Sequence, residues 1–146
     1  MKYALVYSYK LNDKQIYQVR EFCKSRNLRS ISASIYHDWC DKCLPVSPFK
    51  FLSLVRNADY VITSTYHGVI FSIICGKQFV VYGKGIAKIC ALLEELGLTG
   101  RMIEDDISIE TIIDIPIDYT RLDGVLAEKR RDSIDYLVSA IEGREK

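Results

Sequence analysis

The chain has 146 residues, 49% of them hydrophobic, the size of one ordinary globular domain and too short for two full cores. Lys and Arg number 20 against 19 Asp and Glu, a formal charge of +1, so the overall balance gives no reason to expect DNA, RNA or an anionic membrane, and any bound anion must be met by local groups. No stretch approaches the roughly 18 uncharged apolar residues of a membrane helix, and five scattered cysteines, an odd number, fit a reducing cytoplasm better than secretion.

The short apolar run at the start, Tyr3 to Tyr7, gives way to polar residues at Ser8, too soon for a signal-peptide core, and reads as a buried strand of a soluble protein. Gln15, Ile16, Val19, Phe22 and Cys23 recur at helical steps behind it, and residues 29 to 35 read as a second strand. Strand, helix, strand is the unit of a parallel sheet. From Tyr36 to Val46 the chain is polar and irregular, holding His37, Trp39, Cys40, Cys43 and Pro45, and reads as a loop.

Ser47-Pro48 is a helix start, because the serine oxygen can cap free amides and proline at the first helical position loses no hydrogen bond. Phe51, Leu52, Leu54 and Val55 supply that helix's apolar face. The nearly continuous apolar run Tyr60 to Thr63 reads as an interior strand covered on both faces. The run Val69 to Cys75 fits either a buried helix or a strand by periodicity, since its β-branched residues favour the latter.

Residues 78 to 82 read as a further strand and 86 to 96 as a helix stopped by Gly97. Ser108 caps a short segment to Ile113, and Pro116 precedes a long helix from about Tyr119 to Ile141, whose Glu128-Lys129-Arg130-Arg131-Asp132 reads as a solvated face. The expectation is one α/β domain over residues 1 to 146, a parallel sheet with helices on both faces.

Polar groups are concentrated at Ser64-Thr65-Tyr66-His67-Gly68, between a buried strand and a buried helix. In an open α/β sheet ligands sit at the carboxyl ends of strands, and a helix start offers amides and a dipole that favour an anion. Amides of Gly68, Val69 and Ile70 are expected to face that crevice, with Gly68 allowing close approach of backbone. The same residues have a plainer reading, with Ser64 and Thr65 as caps and His67 as a structural group; the residues alone leave both open. Gly83-Lys84-Gly85 lacks the spacing of a nucleotide-binding loop. Cys40-Asp41-Lys42-Cys43 has the spacing of half a zinc site without a second pair, so no metal is expected.

The pieces Ser47-Pro48-x-x-Phe51-Leu52, Asn57 to Thr63, Ser64-Thr65-Tyr66-His67-Gly68, Phe71-Ser72-Ile73-Ile74 and Leu92-Leu93-Glu94-Glu95-Leu96-Gly97-Leu98-x-x-Arg101 resemble the C-terminal half of the polysaccharide pyruvyl transferase family. Ser133-x-x-Tyr136-Leu137 resembles its closing helix, and the resemblance also favours a helix at 69 to 75. It implies one Rossmann-like half of a GT-B-like glycosyltransferase architecture, with an N-terminal domain of the same enzyme as partner. The implied reaction transfers a pyruvyl group from phosphoenolpyruvate to a glycan or lipid-linked sugar as a ketal, in polysaccharide or exopolysaccharide biosynthesis, with no cofactor beyond the donor.

On that resemblance His67 is the general acid or phosphate ligand, with Ser64, Thr65, Tyr66 and Gly68 around the donor. Some members carry arginine where this chain has Thr65; Lys84, Lys88 and Arg101 are the cations that could replace it, though each is also explicable as ordinary surface charge. Two other readings share the architecture: the donor domain of a sugar-nucleotide glycosyltransferase, and a non-catalytic binding module.

Overall fold

The computed structural model describes residues 1 to 104 and 107 to 141, apart from the side chains at 125, 126, 128 to 130, 132, 133, 137, 140 and 141. The sheet opens with β1 (Tyr3–Tyr7) and β2 (Arg29–Ala33), joined by α1 (Asp13–Ser25). A capping box starts α1: the Asn12 side chain accepts from the Gln15 amide at 2.8 Å, and the Gln15 side chain accepts from the Asn12 amide at 2.9 Å. Strand β2 ends where Ser34 takes a left-handed conformation, φ 64°, and turns the chain out of the sheet.

Residues 36 to 46, expected as loop throughout, contain a strand, β3 (Lys42–Leu44), paired in parallel with β2 through Ile31↔Lys42, Ser32↔Cys43 and Ala33↔Leu44. It escapes sequence reading because three residues are too few to display an alternating period, and because it is an edge strand stopped by Pro45. Then follow α2 (Pro48–Asn57), capped by Ser47; β4 (Tyr60–Thr63); α3 (Tyr66–Ile74); β5 (Phe79–Val81); and α4 (Ala87–Leu96), which ends at Gly97 with φ 68°. The ambiguous run at 69 to 75 is therefore helical. A 3-10 turn at Thr99–Arg101 leads to α5 (Ile109–Ile113), capped by Ser108.

Among the described residues the sheet has five parallel strands in the order β3-β2-β1-β4-β5. Alternation along the strands divides the core. Ala4, Val6, Ile62 and Val80 pack with Val19 and Phe22 of α1 and Ile109, Ile112 and Ile113 of α5. On the opposite face the Tyr7 ring packs against that of Phe51 of α2 at 4.6 Å, tilted by 54°, and Phe51 meets Phe71 of α3 edge-on at 5.0 Å. This is the expected α/β class, a Rossmann-like parallel sheet with helices on both faces.

All of these elements belong to one compact unit, Met1–Pro116; a second begins at Ile117 and contains α6 (Tyr119–Ile141). Most of the charged run at 128 to 132, and the pair Ser133 and Leu137, lie outside the described side chains.

Candidate functional site

The order of the strands reverses between β1 and β4, so their carboxyl ends lie side by side at the switch point where open sheets take ligands. Ser64 joins the two ends. Its amide donates to the Tyr7 carbonyl at 3.3 Å, and its hydroxyl accepts from the Tyr9 amide at 3.0 Å and from Ser8 Oγ at 3.2 Å.

Thr65 is the N-cap of α3: its hydroxyl accepts from the Gly68 amide at 2.8 Å and lies 3.1 Å from Thr63 Oγ1, which donates to the Tyr7 carbonyl at 2.7 Å. Gly68 is set by this packing, because a Cβ there would lie 2.0 Å from Thr63 Oγ1. Its close approach is thus to Thr63 and Thr65 within the fold. The expectation that the amides from 68 onward face the crevice is corrected, since Gly68 is taken by the Thr65 hydroxyl and Val69 by the Thr65 carbonyl at 3.2 Å. The helix begins earlier than expected, at Tyr66, so a ligand at its start would meet residues 66 and 67.

His67, in that first turn, is exposed, and its ring meets Tyr66 edge-on at 6.0 Å. The Lys88 ammonium lies 4.2 Å from the centroid of the Tyr66 ring, a cation–π contact that holds the lysine at the same strand ends. His67 titrates below its ordinary value, first because neighbouring atoms remove part of its hydration and second because of the Lys88 charge. Lys84 is exposed in the turn after β5, where the Ile86 amide donates to the Gly83 carbonyl at 2.9 Å and Gly85 has φ 84°. Residues 60 to 93 contain no Asp or Glu, so the edge formed by β4, α3, β5 and the start of α4 carries only cationic formal charge.

Arg101, the third expected cation, has a different place. It is 5% exposed, with Nε donating to the Phe79 carbonyl at 2.9 Å and NH1 to the carbonyls of Ile112 and Ile115 at 3.2 and 2.7 Å. Phe79 begins β5, so this brace ties the strand to α5 at the end opposite the crevice. The structure brings Ser64, Thr65, Tyr66, His67, Gly68, Lys84 and Lys88 to one edge of the sheet and does not bring Arg101 there.

Cys43 sits in β3 with its sulfur 3.1 Å from the His37 carbonyl and 3.4 Å from the His37 amide. Burial, then the neighbouring Cys43, pushes the Cys40 thiol up to about 12. Among the described residues no group of three or more His, Cys, Asp or Glu is placed to hold a metal ion.

A second concavity had no counterpart in the sequence reading. Lys10, Leu11, Asp13 and Ile16 on one side and the 36-to-39 loop on the other line a cavity of about 420 Å³. Asp13, Ile16 and Trp39 also line a neighbouring cavity of about 590 Å³ that runs along α1; the two adjoin at these side chains, a trough in two parts. Neither includes residues 64 to 68. The signal available in sequence was the aromatic cluster Tyr36-His37-Trp39 after the second strand.

Comparison with solved structures finds the fold in a "putative UDP-N-acetylglucosamine 2-epimerase from Listeria monocytogenes", with a TM-score of 0.54 and 16% identity over 90% of this chain and 38% of that one. The chain thus spans well under half of that neighbour, and the likeness is one of fold alone. A comparison with curated proteins finds no match. The sequence pattern of the family described as polysaccharide pyruvyl transferase matches residues 1–83, which takes in the first strands as well as the 64-to-68 loop and stops just before Lys84. That match extends over more than half of the chain, and with it the chain belongs to the polysaccharide pyruvyl transferase family.

Proposed function

We propose that this chain supplies the donor-binding half of a pyruvyl transferase, holding phosphoenolpyruvate at the carboxyl ends of β4 and β5 while a glycan or lipid-linked sugar is ketalised. What supports this reading is the charge pattern: Lys88 stands beside His67 and Tyr66 at the start of α3, Lys84 is exposed in the turn after β5, and residues 60 to 93 contain no carboxylate. The helix start contributes about 0.3 to 2 kcal/mol, short of the roughly 4 kcal/mol that millimolar affinity requires. The cationic side chains supply the remainder, and Thr65, spent as a cap, needs no guanidinium in its place.

The chemistry begins with a proton delivered to the methylene carbon of the donor, which becomes a methyl group and leaves the central carbon electrophilic. One sugar hydroxyl adds there and releases its proton; a second displaces phosphate and closes the ketal. In the free protein lost hydration, and secondarily Lys88, favour the neutral form of His67. A bound phosphate dianion reverses that by favouring imidazolium, which makes His67 a proton donor while the donor substrate is in place.

Calorimetric titration with phosphoenolpyruvate tests the reading. Wild type should bind, His67→Ala and the double variant Lys84→Ala/Lys88→Ala should each bind at least about tenfold more weakly, a loss of about 1.4 kcal/mol, and a uridine sugar nucleotide should not compete. Equal affinity for all three proteins would leave only the structural reading of the loop. Competition by the nucleotide would favour a glycosyltransferase donor site instead.

A further inference from the structure

We propose that the trough between α1 and the loop after β2 binds a neutral saccharide, and, resting on the donor reading above, that it holds the sugar acceptor on this same half of the enzyme. Its walls combine two side chains of the kind that pack against the apolar face of a sugar ring, Tyr36 and Trp39, with the carboxylates of Asp13 and Asp38 and the ammonium of Lys10. Carboxylates only accept hydrogen bonds and ammonium only donates them; sugar hydroxyls can do both. Few polar groups converging on an aromatic wall is the general make-up of a small-molecule site.

The charge pattern selects among aromatic-binding ligands. Two carboxylates against one lysine repel the phosphates of a nucleotide, the other flat ligand an aromatic wall would suit. Further along α1, Glu21 stands with Arg20 and Lys24. Asp41 there is already used, accepting from the Ser30 amide at 2.8 Å. An uncharged polyol fits this lining better than any anion, in contrast to the carboxylate-free edge at β4 and β5.

The loop is also fixed before any ligand arrives. Ser34, in the left-handed region, starts it; the Ser32 hydroxyl donates to the Ile35 carbonyl. Cys43 holds the His37 backbone from β3, and His37 Nε2 lies 2.8 Å from the Ser8 carbonyl. Tyr36 is nevertheless 76% exposed on this pinned loop. A ring carried on a backbone that is already fixed leaves only its own side-chain rotations to be lost when something covers it.

The same β1 loop links trough and anion site. The Ser8 carbonyl receives His37, while the Ser8 hydroxyl and Tyr9 amide bond to Ser64. An acceptor in the trough would therefore lie beside the strand ends where the donor is proposed.

Trp39 is the only tryptophan, so its fluorescence reports the trough directly. The full chain is screened on an array of neutral glycans, and each hit is titrated while Trp39 emission is followed. We expect a saturable change with at least one neutral glycan, weakened at least tenfold by Tyr36→Ala and by Asp38→Asn, both at exposed positions that spare the fold, and unaffected by His67→Ala. Phosphoenolpyruvate affinity should stay the same in Tyr36→Ala, so failure here is distinguishable from failure of the donor reading. Silence across the array, a glycan response indifferent to both variants, or a uridine nucleotide that displaces the glycan would each overturn the proposal.

Discussion

Two stretches of one sheet edge, built from the same strand-and-loop units, carry opposite chemistry. At β4 and β5 the polar side chains of the strand ends are turned inward: Thr63 and Thr65 bind each other, the Tyr7 carbonyl and the Gly68 amide, leaving His67, Lys84 and Lys88 to face solvent among no carboxylates. At β1 and β2 it is the backbone that is fixed inward, through His37 and Cys43, and an aromatic and acidic lining that faces out. The contrast teaches that short polar residues in a crevice loop can be scaffold while the exposed long ones set the ligand class.

Substitutions at the two stretches should therefore behave differently, and the largest difference is expected in stability. Gly68→Ala drives a Cβ into Thr63 Oγ1 and should cost about 3 kcal/mol, the upper end of the overpacking range. Tyr36→Ala, at an exposed position, should change stability by no more than about 0.5 kcal/mol. Urea denaturation of both proteins checks the pair; equal midpoints would break the distinction between scaffold and lining.

How much of this was legible in the sequence follows the same division. Long apolar runs such as Tyr60 to Thr63 and capped helices such as that after Ser47 announce themselves because period and cap are local properties. The cluster at 64 to 68 is legible as a polar break, but which member caps and which faces solvent depends on Thr63 and Tyr7, a strand away. Arg101 looks like any surface cation until the fold closes α5 over it. Strand β3 and the trough beside it arise from pairing between segments, so no local pattern carries them.

A smaller effect should separate cap from ligand group within the loop itself. Thr65→Ala removes the α3 cap and should lower stability by about 1 kcal/mol, whereas His67→Ala, at an exposed position, should leave it within about 0.5 kcal/mol. Thermal melts of the two variants decide this, and a larger loss for His67→Ala would return that histidine to a structural role.

The smallest effect is electrostatic. His67 in the free protein should titrate below about 6.5, the ordinary histidine value, because both partial burial and Lys88 disfavour its charged form. Since the folded value is the lower one, the unfolded chain binds the extra proton first, and this group's contribution to stability falls as pH drops from about 6.5 through the folded value. Lys88→Met should raise the midpoint only part of the way back, because the lysine is the second cause and lost hydration the first. A return all the way to the ordinary value would mean that Lys88 alone sets it.

Whether His67 faces a bound phosphoenolpyruvate is measured most directly by titrating its imidazole by NMR with and without saturating donor. If the dianion sits beside His67, its midpoint rises on binding by about 1 unit or more, equivalent to about 1.4 kcal/mol. Protons are then taken up, and affinity increases as pH falls between the two midpoints. A His67 midpoint unchanged at saturating phosphoenolpyruvate would contradict the account.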